Sequence, residues 1–73
     1  MPTLEWDFHG PDGAGTAEHF REHLDGFLGV NALTGCETRV ERPGPHHAVV
    51  VCEAPSEWAE AIARALRPAR RKS

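Results

Sequence analysis

Residues 35–52 read GCETRVERPGPHHAVVVC, and this stretch decides the fold that the rest of the chain must complete. The three consecutive valines at 49–51 favour a β-strand, and Thr38 and Val40 give the preceding segment a matching alternation. The Pro-Gly-Pro run at 43–45 separates the two segments and suits a turn, because proline presets φ and glycine accepts a positive φ. The stretch therefore predicts a β-hairpin.

A loop of about five residues centred on Gly44 predicts how the two strands pair. In this register six side chains share the buried face, as the pairs Val40 with Ala48, Thr38 with Val50, and Cys36 with Cys52. Two directly opposed cysteines lie within reach of a disulfide. Because buried cysteines also act as small apolar residues, we expect reduced thiols, with a disulfide, a redox role or thiol–metal binding as the alternatives.

The flanking sequence predicts one further strand and two helices. Residues 3–9 alternate between polar and apolar side chains, which is typical of a half-buried strand. Helical spacing predicts a first helix over about residues 17–28, with Thr16 as its N-cap. Pro55 and Ser56 predict the start of a second helix, with Ser56 as its cap, and Pro68 prevents its simple continuation. Its predicted buried residues are Trp58, Ile62, Ala65 and Leu66.

The resulting order, β-α-β-β-α, predicts a small α+β domain. A right-handed crossover after the first strand puts both helices on one face of a three-stranded sheet with strand order 1-3-2. This arrangement resembles a ferredoxin-like fold that lacks its last strand. We expect a single domain over residues 1–67, followed by a basic, disordered tail over residues 68–73 that is too short and too charged to add a strand.

Composition and charge weigh against several classes of function. The chain has 73 residues, of which 40% are hydrophobic and 26% are charged, as in an ordinary globular domain. It shows neither a basic-then-apolar leader nor an apolar run approaching ~18 residues, so we expect a cytoplasmic protein without a membrane span. The formal net charge of −3 disfavours nucleic-acid binding in general.

The first strand would form an exposed edge of the predicted sheet, and unpaired edges invite pairing with another chain. A domain of this size also gains buried area by oligomerising. We therefore expect a non-enzymatic protein-interaction or assembly module that homodimerises through this edge. The expected interaction residues are Glu5, Asp7 and His9 on the edge strand, with Val49 and Val51 on the open face of the sheet.

Two other hypotheses come from different residues. His19 and His23 lie four positions apart on the first helix, so both could reach one divalent metal ion, although the sequence fixes no third ligand. Ordinary surface histidines are the competing interpretation. The second hypothesis is nucleic-acid contact through the tail, whose basic residues are Arg67, Arg70, Arg71 and Lys72. No catalytic arrangement is evident, and no cofactor other than such a metal is expected.

Overall fold

A computed structural model of the chain describes residues 1–72, and Ser73, the end of the predicted tail, lies outside the described residues. The elements in order are β1 (Thr3–His9), α1 (Gly13–Val30), β2 (Glu37–Gly44), β3 (His47–Glu53), α2 (Ser56–Leu66) and β4 (Arg70–Lys72). The strands form one antiparallel sheet in the order β2-β3-β1-β4. The α+β class is confirmed.

The predicted three-stranded sheet of order 1-3-2 is wrong, because part of the predicted disordered tail forms a fourth strand. Arg70–Lys72 pairs with the beginning of β1, with Glu5 opposite Arg70 and Thr3 opposite Lys72. The positive charge of residues 70–72 was expected to oppose strand formation, but it favours the pairing with β1. Both Arg70 and Lys72 form ion pairs with Glu5, which lies beside them on the edge of β1.

The hairpin of β2 and β3 forms, but its register differs from the predicted one by two residues. Thr38 lies opposite Cys52, and Val40 lies opposite Val50. A β-bulge between Glu41 and Gly44 extends β2 through Pro43, and β2 is an edge strand, where proline is tolerated. Because side chains alternate with a period of two, the shift leaves the predicted faces unchanged.

Helix α1 begins at Gly13, before the predicted N-cap Thr16. A Cβ atom at Gly13 would lie 2.9 Å from the carbonyl oxygen of Phe8, so only glycine lets the helix start this close to β1. At the other end, the Asn31 side chain donates a hydrogen bond of 2.8 Å to the carbonyl of Phe27. Neither helix within residues 1–72 is long and apolar enough to cross a membrane.

The core lies between one face of the sheet and the two helices, and Trp6 joins all three. The Phe20 ring of α1 lies 5.1 Å from the Trp6 ring, centroid to centroid, and the Trp6 indole donates a 2.9 Å hydrogen bond to the carbonyl of Leu66 at the end of α2. Ile62 is buried as predicted, but Ala65 is exposed, and Ala59 is buried in its place on the inner face of α2. The buried core residues are Leu4, Trp6, Ala17, Leu24, Leu28, Ala48, Val50, Cys52, Ala54 and Ile62.

Shortening a buried side chain of α1 should destabilise the whole domain. Leu24 is 1% exposed, so Leu24→Ala removes three methyl or methylene groups from the core and should lower the free energy of unfolding by about 2–5 kcal/mol. Val30, on the same helix, is 88% exposed, and Val30→Ala should change it by less than about 0.5 kcal/mol. Urea unfolding followed by tryptophan fluorescence measures both, and equal effects would contradict the packing described here.

Candidate metal centre

The outer face of the sheet, turned away from the helices, carries the odd-numbered residues of β1 and β3. Antiparallel pairing sets Glu5 opposite Val51, Asp7 opposite Val49, and His9 opposite His47. Residues that share a face at these positions have Cβ atoms close enough for long side chains to meet. This pairing, which the chain order alone does not reveal, brings together acidic and imidazole groups that are 40 residues apart in sequence.

Val49 and Val51 lie on this outer face, as predicted, but they are only 5% and 0% exposed. Charged side chains on the neighbouring strands cover them. On the β2 side, Arg39 donates hydrogen bonds to Glu41 and Glu53. A partner that approaches this face would therefore meet ion pairs before it meets the valines.

On the opposite side of the valines, Arg70 of β4 binds two carboxylates of β1. Its Nε donates to Glu5 Oε1 at 2.8 Å, and its Nη2 donates to Asp7 Oδ1 at 2.8 Å, while Nη1 donates to Asp7 Oδ2. Bidentate pairs of this kind are among the stronger surface interactions. The Arg70 guanidinium holds the pKa of Asp7 well below its usual range and also lowers the pKa of Glu5.

Asp7, His9 and His47 form a compact cluster at the end of the sheet nearest the β2–β3 turn. The two imidazole rings are stacked, with centroids 4.4 Å apart and planes inclined by 14°. His47 Nε2 lies 2.9 Å from Asp7 Oδ1. One potential ligand atom from each of the three residues lies within 4.8 Å of the other two.

These side chains supply one carboxylate oxygen and two imidazole nitrogens, a donor set that suits Zn²⁺ and neighbouring divalent transition metals. Ligands at ~2.0–2.1 Å from a tetrahedral Zn²⁺ lie about 3.3 Å from one another, so the three atoms would have to move closer together, and the stacked rings would have to turn, to share one ion. Comparisons with protein-family models, curated proteins and solved structures find no match for this chain. The chemical argument for a metal site therefore rests on this donor set and its geometry.

The histidine pair proposed from sequence, His19 and His23, is also close in space. Their Nε2 atoms lie 2.9 Å apart on the exposed side of α1. Within residues 1–72, however, the group formed by Asp7, His9 and His47 is the one set of three potential ligands found together. His19 and His23 thus remain a pair without a third protein ligand among those residues.

Sequence reasoning named Asp7 and His9 as interaction residues on the edge strand, but it did not name His47 as a site residue. The parity of the strands already puts His9 and His47 on one face, and the predicted strand order puts their strands side by side. The missing information was the β1–β3 register, which makes His9 and His47 direct partners. No local motif encodes that register.

Three of the four basic residues that suggested nucleic-acid contact form ion pairs within the chain. Arg70 binds Glu5 and Asp7, Lys72 Nζ lies 3.4 Å from Glu5, and Arg71 lies 2.8 Å from Glu60 of α2. A phosphate backbone would have to displace these carboxylates, so the tail offers fewer free cations than its sequence suggests.

The two cysteines are free thiols that lie beside each other in the core, not directly opposite as predicted. Cys52 faces Thr38 because of the two-residue shift in register, and Cys36 precedes β2. Burial, with the neighbouring Cys36 as a smaller cause, raises the pKa of Cys52 to about 12. Burial also raises the pKa of Cys36, which is only partly buried.

Both thiols should therefore react slowly with iodoacetamide near neutral pH, because the reactive thiolate is scarce. We expect labelling in the folded protein to be at least about tenfold slower than in urea. Cys36→Ala and Cys52→Ala each leave one thiol, and the Cys36 thiol should react before the Cys52 thiol. Mass spectrometry of labelled samples over time gives both rates. Fast native labelling of Cys52 would contradict its burial.

Proposed function

We propose that this protein binds a divalent transition-metal ion, such as Zn²⁺, through Asp7, His9 and His47. The observation that carries the proposal is the convergence of one carboxylate oxygen and two imidazole nitrogens within 4.8 Å on adjacent strands. Metal ligation is the hypothesis that the sequence also raised for this chain, but for a different pair of histidines. The site proposed here is separate from His19 and His23, and it brings three potential ligands together among the described residues.

Regular backbone supports this site well. His9 and His47 are direct cross-strand partners, so the sheet holds their Cα atoms at a constant separation. Asp7 precedes His9 by two residues and projects from the same face. Ligands that are already placed by a scaffold lose less conformational freedom when the ion binds than ligands on mobile loops do.

The surroundings of the cluster favour reversible binding. His9 is exposed, and Asp7 and His47 are partly buried, so an ion held here would keep solvent-facing coordination positions. Three protein ligands with an open position are typical of catalytic zinc sites, whereas structural sites enclose the metal with four ligands. An ion with an open position is also more exchangeable than an enclosed one. We propose ion capture or exchange, and we keep the expectation from the sequence that the domain is non-enzymatic.

Replacing both imidazoles should abolish specific binding. We expect His9→Ala combined with His47→Ala to lower the affinity for Zn²⁺ by more than tenfold, measured by isothermal titration calorimetry, because two of three ligands are lost. In the unaltered protein, equimolar Zn²⁺ should shift the NMR signals of the His9 and His47 rings.

The matched control is His19→Ala combined with His23→Ala, which removes the other close histidine pair. This variant should bind Zn²⁺ as the unaltered protein does. If it loses binding while the His9 and His47 variant keeps it, the proposed site is wrong and the helix pair is the ligand set.

We also propose that the domain is ferredoxin-like in fold. The order β-α-β-β-α-β is the one described for that class, and β4 supplies the strand that the sequence did not predict. Fold class carries no function by itself, so neither proposal supports the other.

Self-association through the edge of β1 is a second candidate function, because β4 covers only part of that edge. Its pairing with β1 runs from Thr3 to Glu5. Ala69 donates to the carbonyl of Glu5 on this side, so alternation directs the backbone groups of Asp7 and His9 to the same, uncovered edge. A second copy paired about Phe8 would set Asp7 opposite His9 in both directions.

This candidate predicts an apparent mass that rises from 8.0 kDa towards twice that value as the protein concentration reaches the high micromolar range. Light scattering with a chelator present measures self-association without any ion-bridged contribution. A mass that stays at the monomer value would exclude this use of the edge.

A further inference from the structure

Arg70 already occupies the carboxylate that the metal ion would need. It binds both oxygens of Asp7, and His47 Nε2 lies 2.9 Å from the same Oδ1 that accepts from Arg70 Nη2. An ion ligated by Asp7 Oδ1 and His47 Nε2 would have to replace both of these hydrogen bonds at Oδ1.

Electrostatic repulsion between Arg70 and the ion lowers the ion affinity further, in addition to the competition for Asp7 Oδ1. A divalent ion on Asp7 would lie roughly 5 Å from the Arg70 guanidinium, and even in a water-like dielectric that repulsion amounts to about a tenfold change in affinity. Arg70 also neutralises Glu5, the other carboxylate beside the site, so it removes a second source of attraction for a cation.

The strand that carries Arg70 is small enough to be released. β4 has three residues, all of them exposed, and it pairs with β1 alone among the described strands. Its other anchors are the ion pairs of Arg71 with Glu60 and of Lys72 with Glu5. Short strands at the edge of a sheet, with exposed backbone hydrogen bonds, open at low free-energy cost.

We infer that Arg70 and the metal ion compete for Asp7, so that ion binding releases β4 from the edge of β1 and attachment of β4 weakens ion binding. This inference rests on the proposed function. By thermodynamic linkage, the factor by which β4 lowers the ion affinity equals the factor by which the ion loosens β4. The edge of β1 from Thr3 to Glu5 is then uncovered more often in the ion-bound protein than in the ion-free protein.

The test compares Zn²⁺ titrations of the unaltered protein, Arg70→Gln and Arg71→Gln. Arg71→Gln is the matched control, because it removes one charge from β4 and one ion pair without touching Asp7. Arg70→Gln should bind Zn²⁺ about tenfold more tightly than the unaltered protein. Arg71→Gln loosens one anchor of β4 but leaves Arg70 on Asp7, so it should raise the affinity by about threefold at most. Amide NMR spectra establish that each variant keeps the fold.

A second measurement needs no variant. Hydrogen exchange at the backbone amides of residues 70–72 should accelerate when Zn²⁺ is added to the unaltered protein, while exchange in the centre of β3 should not change. Unchanged exchange at these amides would overturn the release of β4, whatever the variants show.

The outcomes separate this inference from the proposed function. If Zn²⁺ binds the unaltered protein and Arg70→Gln equally, and binding is lost in the His9 and His47 double variant, the competition is wrong and the metal site stands. If the unaltered protein does not bind Zn²⁺, or if the double variant binds it as well, both are wrong.

Discussion

The antiparallel pairing of β1 with β3 is the constraint on which the rest of this structure depends. It sets Trp6 opposite Val50 on the core face and His9 opposite His47 on the outer face. A slip of one residue would exchange the two faces and expose the core. A slip of two would keep an apolar core face but separate the two histidines. An apolar core face therefore forms in any register that differs by an even number of residues, whereas the metal cluster forms only when His9 lies directly opposite His47.

That difference explains how much could be predicted from the sequence. Alternation placed the side chains of the three main strands on the correct faces. Pro55 and Ser56 marked the start of α2, although Pro55 and not Ser56 occupies the cap position. The shift within the hairpin could not be predicted, because the bulge between Glu41 and Gly44 leaves no mark on the alternation. The candidate site depended on pairing between distant strands. Two of its residues were named from sequence, but for a different role, and the third was not.

β4 shows why a local reading of charge can mislead. Arginine and lysine at 70–72 are poor strand residues when considered alone, but the edge that they meet carries Glu5 and Asp7. Single surface ion pairs contribute little, typically ~0–1 kcal/mol, whereas several that share one geometry specify a partner.

The adjacency of β4 and β1 also bears on how the chain could be reconnected. Thr3 pairs with Lys72 in antiparallel fashion, so a short turn joining those two residues would make β4 and β1 a hairpin. New ends could then be opened at the exposed turn of residues 45–46, as in other circular permutants. In such a protein chain connectivity holds β4 against β1 and Arg70 beside Asp7. The pairing of β4 with β1, which now depends on a few ion pairs and backbone hydrogen bonds, would then be maintained by a covalent connection.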